Sequence, residues 1–123
     1  MPVDKFAPDH NKSMPPPVTR DKLREHFRQK YKLSEPQVEI MVVSSAQSLK
    51  EGLTHLSEAG SRTEPVDQVA AIYHGLKGLF LNMGEEEWAA YTRDIEQKLL
   101  AGDRYDHLVV VSVLRDGMRG ILG

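Results

Sequence analysis

Cysteine is absent from the 123 residues, which excludes disulfides and thiolate metal sites and fits a reducing compartment. Excess charge of one sign is lacking too: 16 Lys and Arg against 18 Asp and Glu leave a net charge of −2. Those cations are dispersed along the chain rather than banked on one face, so no nucleic-acid binding is expected. The longest apolar run, Leu108–Val111, cannot span a bilayer, and the opening M-P-V-D-K-F-A-P-D-H has no apolar core of signal-peptide length. No membrane association and a cytoplasmic location are therefore expected. The histidines, His10, His26, His55, His74 and His107, show no i, i+4 pairing and fall on separate elements, so no metal site is expected. Neither a glycine-rich phosphate loop nor a nucleophile elbow occurs, which leaves nucleotide-binding kinase and serine hydrolase chemistry without a foothold.

What is present suits one globular domain with a single core, at 40% hydrophobic and 28% charged residues. Residues 1–18 hold Pro2, Pro8 and the triplet Pro15, Pro16 and Pro17 with few large apolar groups, and read as a disordered, proline-rich leader. The domain is expected over residues 19–123. Thr19 can cap a short helix through Leu23, Phe27 and Tyr31. Ser34 with Gln37 forms a capping box, flanked by a Leu33 and Val38 staple. From there Val38, Met41, Val42, Leu49, Leu53 and Leu56 carry a long helix to about Gly60, with His55 on its surface. Thr63 or Ser61 is expected to start the next helix, with Pro65 in its first turn, and Gly84 to end it as a left-handed cap. Glu85, Glu86 and Glu87 then occupy a helix start, where negative charge meets the positive end of the dipole. Trp88, Tyr91, Ile95 and Leu99 give that helix its inward face, and Gly102 closes it.

The last segment, Asp103 to about Arg119, is ambiguous by propensity. Val109, Val110, Val111 and Val113 favour a strand, whereas Leu114, Met118 and Ile121 keep a helical spacing. No other segment offers a sheet partner, so a helix capped by Asp103 is expected. The fold class is then all-α: an antiparallel up-and-down four-helix bundle with a short additional N-terminal helix.

One stretch of the third helix stands out, I-Y-H-G-L-K-G-L-F-L-N-M-G over residues 72–84. Val69, Ile72, Tyr73, Leu76, Leu79, Phe80 and Met83 form one apolar stripe, and His74 lies roughly 160° from its centre. Its imidazole should face solvent. Lys77 and Gly78 belong to the turn stacked above it, and helical side chains lean toward the N-terminus. Glycine at 78 therefore uncovers the ring, while lysine at 77 sets a mobile ammonium beside it. Gly75 and Gly78 each cost about 1 kcal/mol relative to alanine inside a helix, so a pair within one turn needs a reason beyond packing. Access for a large reaction partner is such a reason.

His74, Leu76, Lys77, Gly78 and Gly84 fit the pattern H-x-L-K-G-x-x-x-x-x-G, and in this the chain resembles histidine-containing phosphotransfer (HPt) domains. Asn82 and Trp88 also match that family's pattern. The resemblance implies a phosphorelay intermediate of a two-component system rather than an enzyme. In it His74 accepts a phosphoryl group from an aspartyl phosphate or a hybrid sensor histidine kinase and passes it to a receiver-domain aspartate. Neutral imidazole is a competent nucleophile near pH 7. Nε2 of His74 is expected to attack, Lys77 to neutralise phosphoryl charge and Gly78 to keep the approach open. Asp67 on the same face and Asn82 further along are expected to orient the ring or the partner. No cofactor is expected on this chain, since the resemblance implies that the response regulator receiver domain brings the Mg2+. The short first helix would close one end of the bundle. The family commonly has small residues where this chain has Tyr73, Leu79, Phe80 and Leu81. Of these Leu81 projects near the His74 face, so a more apolar docking surface and a narrower partner choice are expected. The alternative is a phosphorylation-independent helical adaptor that binds a signalling partner through the same helix face.

Overall fold

In the computed structural model, which describes residues 14–62 and 64–122, six helices follow one another: α1 Arg20–Tyr31, α2 Glu35–Ser61, α3 Val66–Asn82, α4 Glu86–Leu100, α5 His107–Gly117 and α6 Arg119–Leu122. No β-strand occurs among the described residues, and the packed helices α2 to α5 are consistent with a helical bundle. The long α2 is the hub, touching α1, α3, α5 and α6, while the most extensive pairing is between α3 and α4.

Local chemistry accounts for the helix starts. Thr19 accepts a hydrogen bond from the Lys22 N–H at 3.1 Å and so caps α1. Gln37 accepts the Ser34 N–H at 3.0 Å in the expected capping box, with Leu33 and Val38 packed on the core beside it. The start of α3 departs from expectation. Pro65 is its N-cap rather than a first-turn residue, and Ser61 belongs to α2, where its hydroxyl donates to the Ser57 carbonyl. Thr63 lies outside the described residues.

The start of α5 also differs. Asp106, not Asp103, caps it, accepting from the N–H groups of Leu108 and Val109. The reason is the end of α4. Gly102 takes φ +104°, Asp103 N–H donates to the Lys98 carbonyl at 2.9 Å and Gly102 N–H donates to Leu99 at 3.1 Å. Asp103 is thus consumed in a Schellman closure, and the chain needs three further residues to turn. The ambiguous valine-rich segment is helical: Val110, Val111, Leu114, Met118 and Ile121 are all buried.

The expected core is largely observed, from Leu23 and Phe27 through Val42, Leu49, Leu53 and Leu56 to Phe80, Trp88, Ile95 and Leu99. Tyr31 is the exception on α1, left 40% exposed at the helix end. Residues 1–13 of the proline-rich leader lie outside the described residues, but its end is part of the domain. Val18 is buried, its N–H donates to the Gly117 carbonyl at 2.9 Å, and the Trp88 indole donates to the Pro16 carbonyl at 3.0 Å. A packed boundary therefore precedes the expected one at residue 19.

Beneath α3 lie three buried phenols. The Tyr73 hydroxyl is hydrogen-bonded to His107 Nδ1 at 2.8 Å, whereas the hydroxyls of Tyr91 and Tyr105 have no hydrogen-bond partner among the described residues. Burial, followed by the mutual proximity of these groups, raises the pKa of Tyr73 and Tyr91, and burial raises that of Tyr105 to about 12.

Two expectations follow. An ideal Cβ on Gly117 would collide with the Trp88 indole ring, so Gly117→Ala should lower the unfolding free energy by about 1–3 kcal/mol, read from denaturant melts. For the phenols, the unfolded side chains ionise near pH 10 while the folded ones stay neutral to higher pH. Stability should hold below about pH 10 and fall as pH climbs beyond it, with tyrosinate absorbance appearing together with loss of helicity.

Candidate functional site

Helix α3 ends where Gly84 adopts φ +78°, with Glu85 N–H donating to Phe80 at 2.8 Å and Gly84 N–H to Leu81 at 3.1 Å. This Schellman closure reverses the chain within a few residues and lays α4 back along α3. The turn is also clamped from outside. The His26 ring of α1 occupies the space a Gly84 side chain would need, and its Nε2–H donates to the Asn82 carbonyl at 3.1 Å. Glu85, buried at the start of α4, is paired with Lys22 of α1 at 3.3 Å.

On the hairpin so formed, His74 faces solvent with 62% of its side chain exposed. Its Nδ1 lies 3.0 Å from a carboxylate oxygen of Glu96 on α4. A carboxylate has no proton to give, so Nδ1–H donates to Glu96 and the Nε2 lone pair is left pointing away from it. Tautomer and ring orientation are set by one contact.

The turn above His74 is open. An added Cβ at Gly75 or at Gly78 would meet nothing within 4 Å, so neither glycine is demanded by packing. That contrasts with Gly84 and Gly117, each pressed against an aromatic ring. Lys77 is partly buried beside this turn, with no carboxylate in ion-pair range among the described residues. Asp67, one line along the helix from His74, is exposed. Leu81 lies on that line in the other direction and is 49% exposed.

Asn82 is exposed at the C-terminal end of α3. Its Oδ1 accepts from the Tyr31 hydroxyl at 3.3 Å, so it serves the contact between α3 and α1 at the helix end. His55 is exposed on α2, and no group of three or more His, Cys, Asp or Glu that could hold a metal ion exists among the described residues. No helix among those residues is long and apolar enough to cross a membrane.

Comparison with protein-family models, with curated proteins and with solved structures finds no match for this chain. The functional reading therefore rests on the motif and on the geometry around His74.

Sequence reasoning did not find Glu96. A signal exists: His74 and Glu96 each stand eleven residues from Glu85, so a tight reversal there brings them level. Using it requires knowing that the two helices pair as a hairpin in that register. Leu100, one turn beyond Glu96 and 61% exposed, was likewise passed over.

Because nothing packs on Gly78, Gly78→Ala should stabilise the fold by up to about 1 kcal/mol through helix propensity. The same methyl should slow modification of His74 by an imidazole-acylating reagent. Denaturant melts together with the modification rate check both; a destabilised variant would mean that packing does require this glycine.

Proposed function

We propose that this chain is a phosphorelay intermediate of the HPt type, in which helices α2 to α5 form the antiparallel up-and-down four-helix bundle and α1 is the short additional helix. It acts in the cytoplasm between separate signalling proteins. The observation that carries the reading is the exposed imidazole of His74 with Nδ1 committed to Glu96, which leaves Nε2 as the free nucleophile. The partner is a response regulator receiver domain, supplied in turn by a hybrid sensor histidine kinase or by another receiver.

The chemistry asks little of this side. Phosphoryl transfer is mainly positioning and electrostatic stabilisation, and the partner's Mg2+ and aspartate provide most of both. His74 needs only a lone pair in line with the phosphorus. Lys77, with no carboxylate in ion-pair range among the described residues, is available to neutralise incoming phosphoryl charge. Gly75 and Gly78 leave room for the partner's loops to approach the ring. Leu81 and Leu100 give the partner apolar footing on either side, and Asp67 offers a charged contact at the far end. Asn82 acts indirectly, by fixing the helix end below Leu81.

The adaptor reading keeps the apolar footing and discards the chemistry. It is favoured by the exposure of Leu81 and Leu100 alone, and leaves the uncovered His74 with no task.

His74→Gln should abolish uptake of labelled phosphate from a phosphorylated receiver domain while circular dichroism stays unchanged. The label on the wild-type protein should be acid-labile and base-stable. Transfer that persists in the variant would remove His74 from the mechanism, and binding without any transfer in the wild type would establish the adaptor.

A further inference from the structure

At the edge of the bundle formed by α2, α5 and α6, a cavity of about 470 Å3 is lined by Lys50, Leu53, Thr54, Arg115, Arg119 and Leu122. None of these residues belongs to α3 or α4, so the cavity is separate from the surface around His74. Three of the six are cations, in a chain whose net charge is −2. Like charges gathered in one place repel one another unless an anion offsets them.

The arginines of α1 are satisfied within the protein. Arg24 reaches both Asp21 and Glu39, and Arg28 both Glu25 and Glu35. At the cavity only Arg119 has a carboxylate, that of Asp116, and its five N–H donors leave others available. Lys50, Arg115 and the Thr54 hydroxyl have no hydrogen-bonding or ionic partner among the described residues. Arg115 stands in the last turn of α5, where the helix dipole favours a cation, yet it donates to none of the terminal carbonyls. Beneath these groups the floor is apolar, with Leu53 buried and Leu122 half-buried. The α6 wall is held in place, since Arg20 donates to the Ile121 carbonyl at 2.8 Å and Leu122 N–H donates to Met118 at 3.0 Å.

We propose that this cavity binds a small organic anion, a carboxylate or phosphate carried on an apolar body. Lys50, Arg115 and Arg119 hold the anionic group, Thr54 donates to it, and the body rests on Leu53 and Leu122. The volume suits a small molecule, and guanidinium forks match the planar carboxylate and the phosphate alike. An inorganic anion would use the cations and leave the leucines wet. A neutral apolar molecule would cover the leucines and gain nothing from the charge. Because the cations are exposed, neither contact is strong alone, and affinity comes from the two acting together. The site does not depend on the relay chemistry of His74.

Titration of the full chain with phenyl phosphate, followed by amide 1H–15N chemical shifts, tests this. Saturable shifts should gather at Thr54, Arg115 and Leu122, with His74 and Gly78 unmoved. Inorganic phosphate and benzyl alcohol should each bind about tenfold more weakly or worse. R115Q, which removes an exposed side chain with no partner, should keep its helicity and lose about tenfold in affinity for phenyl phosphate, the scale of one charge-assisted hydrogen bond. K50Q should weaken binding in the same direction. Shifts that gather instead at His74 and Lys77, an R115Q protein that binds as tightly as wild type, or inorganic phosphate binding as tightly as phenyl phosphate each overturn the proposal. So does sedimentation with phosphatidylglycerol vesicles that R115Q abolishes while phenyl phosphate moves no resonance, since that would make this edge a membrane contact.

Discussion

The register between α3 and α4 is the constraint on which the site depends, and it is set at Gly84. Only a residue at ease with φ near +78° lets the chain reverse directly after Asn82, and here the pressure of the His26 ring adds a second reason for the absence of a side chain. With the reversal fixed, His74 and Glu96 arrive level. A slip of one residue on α4 would rotate Glu96 by about 100° and place either Ile95 or Gln97 at that edge. The first would put an apolar side chain beside the imidazole, and the second would remove the charge. Helix α1 serves the same register from outside, through His26 on the Asn82 carbonyl and Lys22 on Glu85.

The glycines divide according to what presses on them, and that division is an argument about purpose. Gly52, Gly84 and Gly117 lie where another side chain comes too close for a Cβ: Leu76, His26 and Trp88 respectively. Their cost in helix or turn stability is offset by packing. Gly75 and Gly78 face open space, so the fold gains nothing from them and forgoes about 1 kcal/mol at each position. An arrangement that weakens the helix bearing an exposed histidine, on the side where a partner would approach, is economical only if approach matters.

Much of this was legible in the chain. Helix periodicity, the Ser34 and Gln37 box, the Gly84 cap and the outward phase of His74 are all local properties, and local chemistry decides them. What failed was of two kinds. Asp103 and Asp106 both suit a cap, and the choice between them turned on the closure around Gly102, which takes the Asp103 N–H for itself. Glu96 was invisible for a different reason: it is one of six charged residues on α4, and only a tertiary register distinguishes it from Asp94 or Arg93. Asn82, placed along α3 by its spacing, remains exposed at the helix end with its Oδ1 accepting from the Tyr31 hydroxyl.

On the proposed relay reading, a side chain that carries a phosphoryl group between two partners has to hold it without either keeping or losing it. Burying the histidine would protect the bond but close off both partners; full exposure with no neighbour would leave the ring free to rotate and the charge uncompensated. The contact between an exposed imidazole and a largely buried carboxylate occupies the ground between those limits. It immobilises the face turned toward the protein and leaves the other face free. In the proposed relay, catalytic power would then reside in whichever partner is docked and specificity would fall to the surface around the ring, where Leu81 and Leu100 are apolar side chains left uncovered on its two sides.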